Sequence, residues 1–136
     1  MTRLSTSTRT ALTVLTFLIC IGLQGYSSSA SKVVIPEEAL PGTWKVDLRP
    51  TPDAEPNFKE FVVTAVEGAT FEGTFYDTPI SEGRINSDWG KLRLAFVTAD
   101  ASGPYYHSAT LEEGRLEGLS LSTGRGFLAY WTASKQ

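Results

Sequence analysis

The side chains best suited to chemistry are those of Tyr105 and His107, two positions apart in the run Tyr105-Tyr106-His107. Alternate side chains of a β-strand share one face, so a strand here would carry a phenol and an imidazole into the same interior. Buried groups of this kind need hydrogen-bond partners from protein, water or ligand. A lone histidine is more often structural than catalytic, so two interpretations stay open: a satisfied core pair, or part of a ligand-binding wall.

The chain lacks the motifs that most catalytic and metal sites require. It has one histidine and one cysteine, no glycine-rich phosphate loop ahead of a helix and no Gly-x-Ser-x-Gly sequence. Ser108 is adjacent to His107, but neighbours in a strand point to opposite faces and do not form a nucleophile–base pair. We therefore expect no enzyme activity, no cofactor and no metal. The rival hypothesis is a small enzyme that uses Tyr105 and His107.

The elements that position these residues follow a regular pattern. From Gly42 onward, runs rich in Val, Phe, Tyr, Trp and Thr are interrupted about every ten residues by Gly, Pro, Asn or Asp. The pattern predicts an all-β domain with strands at Gly42–Leu48, Lys59–Val66, Thr70–Tyr76, Ile80–Ile85, Lys91–Thr98, Tyr105–Leu111, Leu116–Ser122 and Phe127–Ala133. The connections are too short for crossovers, so we expect an eight-stranded antiparallel up-and-down β-barrel.

Residue alternation divides these strands into an apolar and a charged face. The residues assigned to the interior are Trp44, Val46, Leu48, Phe61, Val63, Phe71, Phe75, Leu92, Leu94, Phe96, Leu119, Leu121, Phe127 and Trp131. Lys45, Asp47, Lys59, Glu60, Glu72, Lys91, Arg93 and Glu117 fall on the opposite face. Trp89 lies in a turn at the end that holds both chain termini, the closed end. It either plugs the barrel there or forms an exposed contact site.

The opposite end of the barrel receives residues 49–57, 77–79, 99–104 and 123–126, and we call it the mouth. Functional residues tend to lie on loops above a rigid scaffold. We predict that a small, partly apolar ligand enters here. The predicted site residues are Trp44, Phe96, Tyr105, His107 and Trp131 as lining, with Arg49 and Arg125 orienting a polar head. The alternative is a filled barrel that binds an envelope protein or glycan through its rim or Trp89.

The first thirty residues have a different composition. Arg3 and Arg9 precede the apolar run 11–23, and Ser28-Ser29-Ala30 offers the small residues that a signal peptidase accepts. We therefore predict a signal peptide at 1–30, a lead segment at 31–41, a barrel domain at 42–136, and a secreted or periplasmic protein. A retained membrane anchor is the alternative, although the run is shorter than the ~20 residues that span a bilayer.

Cleavage after Ala30 would remove Cys20, the sole cysteine, together with two of the 12 basic residues. The remaining 10 basic and 15 acidic residues give a net charge of about −5, which disfavours nucleic acid and anionic membranes as partners. Without a disulfide, the domain relies on its core for stability. The sequence does not predict an oligomeric state.

Three short segments resemble known barrel families. Gly42-Thr43-Trp44 resembles the G-x-W opening of lipocalins and the G-T-W opening of avidins, and Phe71-Glu72-Gly73-Thr74-Phe75-Tyr76 resembles the third avidin strand. Tyr130-Trp131-Thr132 fits a final barrel strand. The resemblance implies a small calycin-like barrel at the level of fold. Lipocalins stack a basic residue from beyond the last strand on the tryptophan of G-x-W, a role that the resemblance gives to Lys135.

Overall fold

The computed structural model describes residues 37–136, which form an all-β domain. The predicted signal peptide and the lead segment as far as residue 36 lie outside the described residues. A 3-10 turn (Glu37–Ala39) precedes the strands β1 (Gly42–Asp47), β2 (Phe58–Glu67), β3 (Thr70–Phe75), β4 (Thr78–Pro79), β5 (Ser81–Asn86), β6 (Arg93–Asp100), β7 (Gly103–Glu112), β8 (Arg115–Ser122) and β9 (Phe127–Lys135). No helix within this range is long and apolar enough to cross a membrane.

The sheet closes into a barrel. β1 pairs with β2 on one side and with β9 on the other, and β2 also pairs with β3. The short β4 and β5 act as one barrel strand, because both pair with β3 at opposite ends, Thr74 with Pro79 and Thr70 with Arg84. All pairs are antiparallel. The prediction of a closed eight-stranded antiparallel barrel is confirmed.

Aromatic side chains fill the centre of the barrel. The rings of Phe61, Phe71, Phe75 and Phe96 contact one another with centroids 5.2–6.1 Å apart, mostly edge to face. This is the separation and geometry at which aromatic pairs attract beyond simple burial. Trp44 and Trp131 are fully buried beside them. The alternation in β1, β2, β3 and β6 therefore predicts the core correctly.

The segment before β1 seals the closed end. Leu40 is completely buried, and its carbonyl oxygen accepts a hydrogen bond of 2.9 Å from Trp44 Nε1. Lys135 Nζ donates to the Ala39 carbonyl over 2.8 Å and lies 5.6 Å from the centroid of the Trp44 ring. The contact that the resemblance assigns to Lys135 is present. Trp89 is 82% exposed, so of its two interpretations the plug is wrong and the exposed contact remains.

The alternation in β8 is the reverse of the predicted one. Leu119 and Leu121 were assigned to the interior but are exposed, and the inward positions are Leu116, Gly118, Ser120 and Ser122. The two-residue turn 113–114 places Glu112 opposite Arg115 and therefore His107 opposite Ser120. Directly opposed residues share a face, so an inward His107 requires an inward Ser120. Phe127 is opposite Ser122 and therefore occupies an inward position, but it is 39% exposed because it lies at the mouth.

This reversal produces an exposed apolar surface, here called the outer apolar face. Its members are Tyr106, Leu119, Leu121, Leu128 and Tyr130. They lie side by side, since Leu121 is opposite both Tyr106 and Leu128, and Leu119 is opposite Tyr130. The charged residues assigned to the outside are all exposed or partly exposed, although Lys59, opposite the buried Val46, occupies an inward position at the mouth end of β2.

Candidate functional site

A cavity of about 290 Å³ lies at the mouth end of the barrel, above the phenylalanine cluster. Its volume is at the lower limit of small-molecule sites, which typically span about 300–1,000 Å³. Apolar and polar side chains share its wall: Leu48, Phe75, Tyr76, Thr78, Thr98, Ala99, Asp100, Tyr105, His107, Ser120, Arg125 and Phe127. The exposed surface of this wall is mainly apolar, as expected of a small-ligand site, although eight of the twelve residues carry a polar group.

His107 lies in the wall of this cavity and is only 5% exposed. Its Nε2 is 2.9 Å from Thr98 Oγ1 and its Nδ1 is 2.7 Å from Ser120 Oγ, so both ring nitrogens have hydroxyl partners. The ring also packs on Phe96, with centroids 4.5 Å apart. Burial lowers the pKa of His107 to about 4, because the charged imidazolium would lose its hydration there. The imidazole is therefore neutral at pH 7.

Tyr76 covers another part of the wall. Its ring stacks on that of Phe75, with centroids 4.6 Å apart. Its hydroxyl is buried, and among residues 37–136 no side chain or backbone group accepts its hydrogen. Burial, with a contribution from the Asp47 charge, raises the pKa of Tyr76 well above its usual value. The hydroxyl therefore stays protonated and is a hydrogen-bond donor without an acceptor.

A network of polar side chains stands at the rim of the cavity. Arg125 donates from Nη2 to Asp100 Oδ2 over 3.1 Å and from Nε to Ser102 Oγ over 2.9 Å. Tyr105 donates its hydroxyl hydrogen to the same Asp100 oxygen over 2.9 Å. Hydrogen bonds from Ser102, Tyr105 and the nearby Arg125 hold the pKa of the Asp100 carboxyl below its usual value. The rim therefore joins a cation and an anion that neutralise each other.

The structure brings together three of the seven predicted site residues. Tyr105, His107 and Arg125 line the cavity. Trp44, Phe96 and Trp131 are fully or almost fully buried in the core beneath it.

Arg49 does not reach the cavity. It pairs with Asp47 on the outside of the barrel, where Nε donates to Asp47 Oδ2 over 2.8 Å. The prolines that follow it, Pro50 and Pro52, line an outer depression together with Leu128. The connection between β1 and β2, residues 48–57, therefore contributes Leu48 alone to the cavity wall.

Five polar residues of the wall were not predicted as site residues: Tyr76, Thr78, Thr98, Asp100 and Ser120. Strand alternation places Tyr76 outside, but its backbone adopts φ 55° in the turn after β3, so it departs from the strand pattern. Ser120 was missed through the reversed β8. The turn at Glu113-Gly114, combined with an inward His107, contains the information needed to find it.

Two larger depressions lie on the outside of the barrel, with volumes of about 550 and 620 Å³. Both are lined largely by exposed or charged side chains of the outer surface, such as Arg93, Glu117 and Arg115. They contain no buried polar group of the kind seen at His107, so the smaller interior cavity is the stronger candidate. Within the described range, no group of three His, Cys, Asp or Glu side chains is arranged to hold a metal ion.

Comparison with known protein families, with curated protein sequences and with solved structures finds no match to this chain.

Proposed function

We propose that this chain is a secreted or periplasmic binding protein that takes a small, partly apolar ligand through the mouth and does not transform it. The observation that carries the proposal is the cavity of about 290 Å³, in which Tyr105 and His107 stand among apolar side chains. Binding sites combine a concave apolar wall with a few convergent polar groups, and this cavity has both.

The environment of His107 favours binding over acid–base catalysis. A general base is most effective when its pKa is near the working pH, whereas burial lowers the pKa of His107 to about 4. Both ring nitrogens are also engaged by Thr98 and Ser120. These contacts support a role for His107 in ordering the two hydroxyls rather than in moving a proton.

The contact between Lys135 and Trp44 supports the resemblance to lipocalins. The ammonium lies 5.6 Å from the centre of the indole ring, within the distance at which cation–π attraction operates. Lipocalins are small-ligand carriers, so the resemblance agrees with a binding function. The ligand that we expect is defined by the cavity of this chain and not by the ligands of lipocalins.

Native mass spectrometry of the protein purified from its own host tests the proposal. We expect a retained mass adduct that is lost on denaturation. Leu48→Trp places a larger side chain at the cavity wall and should abolish the adduct. Leu128→Trp, on the exposed outer face, is the matched control and should retain it. An adduct held equally by both variants would show that binding occurs outside the cavity.

A second candidate function is protein binding through the outer apolar face. Leu128 and Tyr130 are 64% and 55% exposed, and contiguous exposed apolar surface marks interaction sites. A photoreactive amino acid placed at position 121 should cross-link one protein in the native host. The same amino acid at position 117, which is charged and exposed in the same strand, is the control. Identical products from both positions would reject this candidate.

A further inference from the structure

In the cavity wall around His107, one hydroxyl hydrogen has no acceptor in the described part of the protein. A neutral imidazole has one N–H and one bare nitrogen, and Thr98 and Ser120 each add one O–H. Three hydrogens thus serve two hydrogen bonds, whichever tautomer the ring adopts. The third belongs to the hydroxyl that accepts from the ring, and no other residue in the range 37–136 bonds to either hydroxyl. Thr98 and Ser120 are both residues of the cavity wall.

The hydroxyl of Tyr76 carries a second hydrogen without an acceptor, and the backbone of this residue adopts a conformation of raised energy. Tyr76 and Asp77 have φ values of 55° and 61° in the two-residue turn that joins β3 to β4. Such turns favour Asn and Gly, and a left-handed conformation costs other residues about 1 kcal/mol or more. This conformation holds the tyrosine ring against Phe75 and leaves its buried hydroxyl without an acceptor in the described part of the chain. Backbone strain and an unmatched buried polar group are both features that occur at functional sites.

The charges around the cavity favour a neutral ligand. Arg125 is the one cation in the wall formed by residues 37–136, and it is paired with Asp100 in the same wall. The imidazole of His107 is uncharged at neutral pH. An anion would therefore lose its hydration in this cavity without gaining a free counter-charge.

We propose that the ligand is a small neutral molecule whose carbonyl-type oxygen accepts hydrogen bonds from Tyr76 and from Ser120 or Thr98. Its flat apolar body lies against Phe75 and Phe127. A water occupies about 30 Å³, so a cavity of about 290 Å³ admits a ligand of roughly ten non-hydrogen atoms. This inference rests on the proposed ligand-binding function and specifies the chemistry of the ligand.

Three probes of similar size separate the possibilities. Acetophenone carries the carbonyl oxygen, ethylbenzene lacks it, and benzoate replaces it with an anion. Titration of the purified protein, followed by chemical-shift changes of cavity residues, should give the tightest binding for acetophenone, by about tenfold. Equal binding of ethylbenzene would overturn the carbonyl proposal and leave the ligand-binding function in place. Tighter binding of benzoate would overturn the neutral-ligand proposal, and failure of all three probes would count against ligand binding itself.

Tyr76→Phe removes the donor and keeps the ring. We expect this variant to bind acetophenone about tenfold more weakly while its affinity for ethylbenzene stays unchanged. The carbonyl stretching band of bound acetophenone should also move back toward its value in an apolar solvent. Tyr130→Phe, on the outer apolar face, is the control and should change neither quantity. An unchanged band and affinity in Tyr76→Phe, with a melting temperature no lower than that of the wild type, would exclude Tyr76 as the donor.

Discussion

At the scale of single residues, the histidine of this barrel organises the wall of the cavity. His107 is flanked by Thr98 and Ser120 from the two neighbouring strands, so one imidazole connects three strands through side-chain hydrogen bonds. Burial keeps the imidazole neutral, and a neutral ring leaves one hydroxyl hydrogen of Thr98 or Ser120 for another partner. His107 therefore affects ligand recognition through the two hydroxyls that it orders.

The depressed pKa of His107 predicts a dependence of stability on pH. The unfolded chain takes up the proton near pH 6.5 and the folded protein only at about pH 4. Between these values the unfolded state holds more protons, so the free energy of unfolding falls as the pH is lowered, by roughly 3 kcal/mol in all. Urea unfolding at a series of pH values measures this loss.

The control for this prediction is His107→Gln, which removes the sole histidine and keeps hydrogen-bonding capacity. The variant should be less stable at pH 7 but should show little change between pH 6.5 and 4.5. A wild-type protein whose stability is constant over that window would contradict the assigned environment of His107.

At the scale of strands, the sequence predicts most of the barrel because two signals agree in most strands. In β1, β2, β3 and β6 the large apolar residues alternate in step with the interior, and short turns force antiparallel neighbours. In β8 the signals conflict, because the larger side chains Leu119 and Leu121 face outward and Gly118 and Ser120 face inward. The register of the β7–β8 hairpin outweighs hydrophobicity there. Ser120 escapes prediction because the large apolar residues of β8 face outward, and Tyr76 escapes it because its turn conformation departs from strand alternation.

The inward position of Gly118 predicts an unusual mutational contrast in β8. A Cβ atom at this position would lie 2.4 Å from two ring atoms of Trp131 and 2.7 Å from the Ser108 carbonyl oxygen. Gly118→Ala should therefore lower the free energy of unfolding by about 2 kcal/mol or more, as overpacked cores do. Leu119→Ala, at the adjacent exposed position, should cost less than about 1 kcal/mol. Urea unfolding of both variants decides between the two orientations of β8, because the reverse order of effects would require Leu119 to face the core.

At the scale of the whole barrel, the two ends have different roles. Leu40 and the Lys135–Trp44 contact seal the closed end, while the cavity opens at the mouth between Phe127 and the rim network. The lower part of the interior is filled by aromatic rings, so a ligand has access to the upper part alone. A barrel organised in this way can keep a solid core for stability and still offer a binding site.

The three tryptophans report on this arrangement, because they lie in different environments. Trp44 and Trp131 are at most 1% exposed in the closed interior, whereas Trp89 is 82% exposed in a turn of the closed end. Acrylamide should therefore quench the emission of Trp89 efficiently and that of the other two weakly. In Trp89→Phe the remaining emission should shift to shorter wavelength and lose most of its sensitivity to acrylamide. In urea the variant and the wild type should be quenched alike, which controls for the intrinsic response of each indole. Strong quenching of the folded variant would mean that acrylamide reaches Trp44 or Trp131. That result would contradict a barrel that is sealed at one end and filled beneath its cavity.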